Sequence, residues 1–385
     1  MADFTFTFHP SVTDIQEIWQ SRTGDSTFFS HEFYKALEHS PPSGTSFWYG
    51  LVYDGDRCVG NLYYQLKRIE LDKSLRLSVP ATAGVSSKIF TNIKRFLARQ
   101  VRYTTLVAGN MTLTGTYGHV FDPELSETEK WEIIPKAADQ LAKHLKSKGI
   151  AVSGILLKDF DDKNRPAVTP TSFSKFEVQP NMVLPIQESW SSTEDYLGAM
   201  KSKYKVRVRR ARKKAEKLNK MVLSADQILE ASETIKSLYQ FVADGAGFNL
   251  FTLPDDYFWS LKTHLGDKMK LTAYYDGSKM VGFYTSIRND KELDAHFLGY
   301  EPACNLSCQL YLNMLYDLVD EGIAVHAHNL VLSRTAMEIK SSVGAEPRNM
   351  YLYMKSTNSI MNRILGKALD YFVPEQDWQP RSPFK

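Results

Sequence analysis

Seven side chains able to move protons or hold negative charge fall within 45 residues of the C-terminal half: His296, Tyr300, Glu301, Tyr311, Arg334, Glu338 and Lys340. Imidazole, phenol, carboxylate and amine are the groups that general acid–base chemistry uses, and a lysine or arginine stabilises a developing oxyanion or a phosphate. Each has a structural explanation that stays open beside the chemical one. His296 follows Asp294 and Ala295 in an otherwise apolar strand, where it is a base or simply satisfies a buried hydrogen bond. Arg334 and Glu338 are four apart on an expected helix and could pair with each other for roughly 0.2–0.5 kcal/mol. Tyr311 lies on a helix expected over 305–321, whose Leu306, Leu310, Leu312, Met314, Leu315, Leu318 and Val319 read as a core face, so packing competes with proton donation. Lys340 is either a stabilising cation or a solvated lysine on a short helix.

A second cluster, Asn110, Thr114, Tyr117, His119 and Asp122, sits in a Gly/Thr-rich passage of the first half. Such a loop holds a substrate or satisfies its own hydrogen bonds. His326 and His328 have no carboxylate or thiolate neighbours, and Cys58, Cys304 and Cys308 lack zinc-type spacing, so no metal site is expected. Neither a nucleophile elbow nor a P-loop is present. The chain has no apolar run long enough to span a bilayer and no signal-peptide pattern, which places the expectation in the cytoplasm, with a peripheral seat at the inner membrane face as a variant of it.

The formal charge of +3 conceals a segment unlike the rest. Residues 201–220 hold eleven Lys/Arg and one acid, a net +10, whereas the remainder carries 36 basic and 43 acidic residues, a net −7. Tyr204, Val208, Ala211, Ala215, Leu218 and Val222 are spaced as a narrow helical seam, so one basic helix over 201–222 is expected. Its exposed Arg207, Arg209, Arg210 and Lys213 suit an anionic donor or partner: a nucleotide-type acyl carrier, tRNA, an acidic carrier protein or a membrane surface. A solvated helix face is the plain alternative. With Tyr204 the one aromatic for stacking and no nucleic-acid module alongside, DNA is not an expected partner.

One phrase occurs twice, Tyr53-Asp54-Gly55-x-x-x-Val59-Gly60 and Tyr275-Asp276-Gly277-x-x-x-Val281-Gly282. Asp-Gly between alternating apolar runs signals a tight hairpin. An aromatic helical segment precedes each copy, Glu32–Leu37 and Asp256–Leu261, and an amphipathic helix running into Gly-Ile-Ala-Val follows each, at 149–152 and 322–325. The chain thus reads as two copies of an α+β unit, joined by a linker within 177–192.

This order, opened in its second copy by a basic helix, resembles the tandem GNAT-like acyltransferases of the Fem type (FemAB-like), a family that includes peptidoglycan aminoacyltransferases. Leu106-Val107-Ala108-Gly109-Asn110-x-x-x-Thr114-Gly115 and Arg334-Thr335-Ala336-Met337-Glu338-Ile339-Lys340-x-x-Val343-Gly344 carry the resemblance. It implies mixed, mostly antiparallel sheets flanked by helices, in units 1–180 and 181–385. It also implies transfer of an acyl or aminoacyl group from acyl-CoA, an acyl carrier or aminoacyl-tRNA to an amine, in a cleft where the second sheet splays near 296–300. Lys340, His296, Tyr311 and Glu338 are then the catalytic candidates, and Arg334, Tyr300, Asn305, Asn110, Thr114 and His119 the substrate-binding ones. Ordinary GNAT enzymes hold the coenzyme A pyrophosphate on a glycine-rich turn; here Glu301-Pro302-Ala303-Cys304-Asn305-Leu306-Ser307 stands in its place, leaving only a helix N-terminus capped by Asn305 or Ser307. An inactive descendant that docks on RNA or an anionic membrane through the basic helix is the competing expectation.

Overall fold

The computed structural model describes residues 3–70, 102–245, 251–363 and 378–385. The strand expected near 72–78 and the helix near 87–99 lie outside the described residues. Thirteen strands form one sheet: β1 (Thr5–His9), β2 (Thr45–Asp54), β3 (Arg57–Glu70), β4 (Arg102–Ala108), β5 (His119–Phe121), β6 (Gly154–Phe160), β7 (Ser174–Pro185), β8 (Asn219–Val222), β9 (Met269–Asp276), β10 (Lys279–Asn289), β11 (Glu292–Tyr300), β12 (Asn329–Val331) and β13 (Glu346–Ser356). Their order, β1-β2-β3-β4-β6-β13-β7-β12-β11-β10-β9-β8, reads alike from either edge, with β5 beside β3. Each half has one parallel pair, β4 with β6 and β11 with β12; the other pairings are antiparallel.

The repeated phrase is the plainest signature of this symmetry. Gly55 and Gly277 take φ of 58° and 64° in the β2–β3 and β9–β10 turns, as the first central residue of a two-residue hairpin loop requires. Each hairpin then carries one unmatched residue: Val59 on β3 between the pairs Val52↔Gly60 and Tyr53↔Cys58, and Val281 on β10 between Tyr274↔Gly282 and Tyr275↔Met280. Identical spelling gives an identical bulge. The aromatic segments form α2 (His31–His39) and α8 (Tyr257–Leu265), which pack on each other across the two halves, with Ser260 Oγ donating to the Ala36 carbonyl at 2.9 Å. Phe33, Tyr34, Tyr257 and Phe258 are buried in that shared core.

Several expectations need correction. Residues 177–185 are not linker: the alternating Ser174–Pro185 segment is a strand at the centre of the sheet, with Met182, Val183 and Leu184 buried. The 180/181 boundary therefore falls inside β7, and the halves exchange a strand, since β13 lies against β6 and β7 against β12. The basic helix, α5, covers only Ser202–Lys214. Beyond it Asn219–Val222 gains a ladder with β9 at the sheet edge, and Val222 is exposed, not seamed. The helix expected over 305–321 is two helices, α9 (Pro302–Cys308) and α10 (Leu310–Ala324), broken where Gln309 takes a left-handed conformation, and Leu306, on the short first piece, is exposed and not part of the core face. The two Gly-Ile-Ala-Val copies are not equivalent either. Gly149 follows α3 (Glu127–Ser147) with φ 80°, whereas Gly322 lies within α10.

The remaining helices are α1 (Gln16–Thr23), α4 (Thr193–Ala199), α6 (Ala225–Glu230), α7 (Ser232–Gly245) and α11 (Met337–Ser341). Helix α7 lies directly on β11 because Gly299 has no side chain; a Cβ there would meet backbone atoms of Leu238 and Tyr239 at 2.5 Å. Gly299→Ala is expected to cost about 1–3 kcal/mol or more, since backbone rather than a flexible side chain must yield. Chemical denaturation checks it.

Candidate active site at a split in the sheet

The parallel ladder between β11 and β12 stops at Asp294↔Val331. Beyond it β11 continues along β10, while Leu332 and Ser333 turn to β7, with Leu332 N–H donating to the Met182 carbonyl at 2.8 Å and Met182 N–H to that of Ser333 at 3.1 Å. Ser333, Thr335 and Ala336 then take φ of 59°, 67° and 47°, left-handed conformations that non-glycine residues adopt only under constraint. A cavity of about 550 Å³ opens in the gap. Tyr239, Phe241 and Val242 of α7 line one side, and Tyr311, Leu315 and Leu318 of α10 the other.

Of the expected residues, the structure brings together His296, Tyr300, Tyr311, Arg334 and Lys340, all of which line this cavity. His296 sits at a β-bulge: Thr285 alone faces both His296 and Phe297, since the flanking pairs are Tyr284↔Leu298 and Ser286↔Ala295. The Thr285 hydroxyl fixes the irregularity, accepting from Phe297 N–H at 2.9 Å and donating to its carbonyl at 2.8 Å. The imidazole Nε2 lies 2.9 Å from the Tyr257 hydroxyl, and burial pushes His296 down to about 3. It is therefore neutral and a weak proton acceptor. Burial raises Tyr311 above the ordinary phenol range, so its hydroxyl stays protonated.

Lys340 is no solvated lysine. It is 5% exposed, with Nζ donating to the carbonyls of Arg334 at 2.5 Å and Ser333 at 3.3 Å, and burial lowers it to about 7. The short helix α11 aims it back at the left-handed residues preceding that helix. Arg334 is held by the first unit: one guanidinium nitrogen pairs with Asp159, while its buried Nε has no partner among the described residues. Asp159, fully buried with φ 63°, also pairs with Lys158 and accepts from Gly115 N–H at 3.3 Å. Burial alone would raise the Asp159 carboxyl, but the Lys158 ammonium and Arg334 guanidinium outweigh it and hold the group below its ordinary value. Burial carries Lys158 down to about 8 despite Asp159.

Other expected residues lie elsewhere. Glu338 is on the exposed side of α11, paired with Arg381 and not with Arg334; it is absent from the cavity wall because α11 turns its Lys340 face inward. Asn305 Oδ1 accepts from Tyr311 N–H at 2.9 Å, capping the first turn of α10 instead of facing a substrate. Ser307 donates to the Ala303 carbonyl and so does not cap α9, while Glu301 at its N-cap makes no side-chain cap hydrogen bond, its carboxylate accepting from Lys279 at 2.8 Å. In the first unit the matching split is filled. Past Ala108↔Leu157, Gly109 lies against Lys158, and the 110–118 loop folds back over it. Asn110 is buried there, accepting from Thr112 N–H at 2.9 Å; Thr114 is half-buried and lines no part of the cavity. His119 packs against Phe121 and Phe160 and is lowered by burial to about 4.

On the basic helix, Tyr204, Val208 and Ala211 are buried, and Arg212 bridges to Asp317 at 2.6 Å and Asp320 at 2.7 Å. Arg209, Arg210 and Lys213 point to solvent, while Arg207 lines a shallow depression with Trp378 and Arg381. Asp159 and Tyr257 are the site residues that sequence reasoning missed. Asp159 follows Lys158 in an apolar strand, a buried-charge pair that was visible but had no partner in view.

No family model matches the chain, and no curated protein matches it. Solved structures do. FemX is 10% identical over 94% of this chain and 100% of that one, with a TM-score of 0.52. L-PGS from Bacillus licheniformis is 9% identical over 95% of this chain and 98% of that one, with a TM-score of 0.50. A tandem GNAT protein from the clavulanic acid biosynthesis pathway is 10% identical over 92% and 99%, with a TM-score of 0.49. Among the described residues no helix is long and apolar enough to cross a membrane. The chain shares the α+β fold of FemX and L-PGS, built from two similarly ordered halves.

Proposed function

We propose that this chain is an acyltransferase that moves an acyl group from an activated anionic donor to an amine, in the cavity of its second unit. The supporting observation is the split between β11 and β12, where a bulged strand, a guanidinium with an unused Nε and a buried lysine near neutrality face one cavity. The amine attacks the donor carbonyl; Lys340, in its neutral form, takes the amine's proton. The Arg334 guanidinium stabilises the oxyanion, and Tyr311 donates a proton to the leaving group. Residues 181–385 carry the transfer on this reading, and residues 1–180 supply the scaffold that holds Arg334. Acyl-CoA, acyl carrier protein and aminoacyl-tRNA are the donors to compare, with product formation on a panel of amines as the test; failure of all three overturns the proposal.

The exposed cations of α5 would draw in the donor. Reversing Arg209, Arg210 and Lys213 to Glu is expected to raise the donor KM about tenfold or more at low salt and to flatten its salt dependence. The melting temperature should hold, because these three side chains are exposed and form no ion pair among the described residues. Steady-state kinetics at two ionic strengths check this.

A further inference from the structure

We propose, resting on the transferase reading, that the transferred group is an uncharged hydrocarbon acyl chain delivered as a thioester, and not an aminoacyl group. Phe241, Val242, Leu298, Leu315, Leu318 and Leu332 give the cavity a largely apolar wall, broken by tyrosine hydroxyls and His296, and its two cations, Arg334 and Lys340, come from the segment that follows Leu332. Among the described residues no aspartate or glutamate lines the cavity. The nearest buried carboxylate shown to engage a lining cation, Asp159, is already shared between Lys158 and Arg334. An aminoacyl donor would bring an α-ammonium beside the Arg334 guanidinium and the Lys340 amine with no lining carboxylate among the described residues to pair it, where desolvation and like charge both oppose it.

A hydrocarbon chain meets the opposite situation. Each methylene moved from water against this wall should tighten binding about fourfold, until the space is full. A volume of about 550 Å³ corresponds to roughly 18 units of water size at about 30 Å³ each, enough for a chain of around ten carbons with its carbonyl. In the reaction the amine nitrogen forms a bond to the carbonyl carbon and the carbon–sulfur bond breaks. The electron pair leaves on the thiolate, and the amine's proton ends on that sulfur by way of Lys340 and Tyr311.

The test uses the full chain and pantetheine thioethers bearing alkyl groups of two, eight and twelve carbons, with calorimetry for affinity. Transfer from the corresponding thioesters to primary amines is followed in parallel by mass spectrometry. Affinity should rise at least about 100-fold from two to eight carbons. Adding an ammonium beside the attachment point of the eight-carbon probe should abolish most of that gain. Ala295→Leu, which narrows the cavity, should weaken the twelve-carbon probe about tenfold more than the two-carbon one; Leu298→Phe is the second variant should the first not fold. Chain-length independence, or an ammonium-bearing probe that binds as well as its parent, overturns this inference while leaving the transferase reading standing. A clear chain-length trend with no transfer from any thioester or aminoacyl ester upholds the apolar site and defeats the transferase reading instead.

Discussion

Lys340→Met should lower kcat by about 10²–10⁴-fold while the protein melts at the same temperature or higher. The two halves of that expectation have one cause. A lysine buried without a carboxylate is costly to keep charged, and the carbonyls of Ser333 and Arg334 compensate only in part, which is why the group sits at about 7. Methionine fills similar space without that cost, so stability is kept or gained where the proton acceptor is lost. The pH dependence has a definite sign. Between pH 7 and about 10.4 the unfolded chain keeps this proton and the folded chain has released it, so this group makes stability rise with pH across that window. Below pH 7 the full burial cost remains. The substitution should remove this slope from the melting temperature against pH. Activity should behave in parallel: kcat/KM of the unaltered protein rises through pH 7 to a plateau, and the rising limb disappears in the variant. A profile that instead falls above pH 7 would assign Lys340 the role of a cation. Unchanged turnover would remove it from the chemistry.

Local patterns told most about the frame. The Asp-Gly bends, with their positive φ at Gly55 and Gly277 and their bulges at Val59 and Val281, depend on a few neighbouring residues, and so did the placing of α2 and α8. The 296–300 opening and Lys340 as a site candidate came only through the resemblance carried by the 334–344 motif; the residues themselves left Lys340 open between a stabilising cation and a solvated lysine. What escaped was set by distant partners. Nothing in Ser174–Pro185 says that its neighbours will be β12 and β13, some 150 residues away, so a central strand looked like a linker. Glu338 and Arg334 have the spacing of a helical pair, yet Arg381 and Asp159 take them, from segments no periodicity connects to either. The basic helix was overextended for the same reason, since Asn219–Val222 obtains its ladder from β9 and not from its own sequence. The first unit's Asn110, Thr114 and His119 had suitable chemistry, but Lys158 and the 110–118 loop occupy the space a substrate would need.

Asp159→Ala should cost about 3–5 kcal/mol of stability. Its carboxylate is fully buried between Lys158 and Arg334, and removal leaves both cations without the anion that justifies their burial. The gentler Asp159→Asn keeps the volume and the hydrogen bond from Gly115 N–H but not the charge. It should fold, melt several degrees lower, and transfer about 10²-fold more slowly, because Arg334 is then free to move by an ångström or so from the reacting carbonyl. Acid titration separates the charge from the shape. Asp159 lies below its unfolded value when folded, so the stability it supplies is present above about pH 4 and drains away as pH falls through the folded value; the asparagine variant should lack that acid limb. A purely structural role would lower the melting temperature and leave kcat per folded molecule intact. Loss of kcat in the folded variant, with donor KM little changed, would mean that the first unit acts on the second unit's chemistry through this one carboxylate, which explains why a half whose own split is filled keeps a buried charge at its edge.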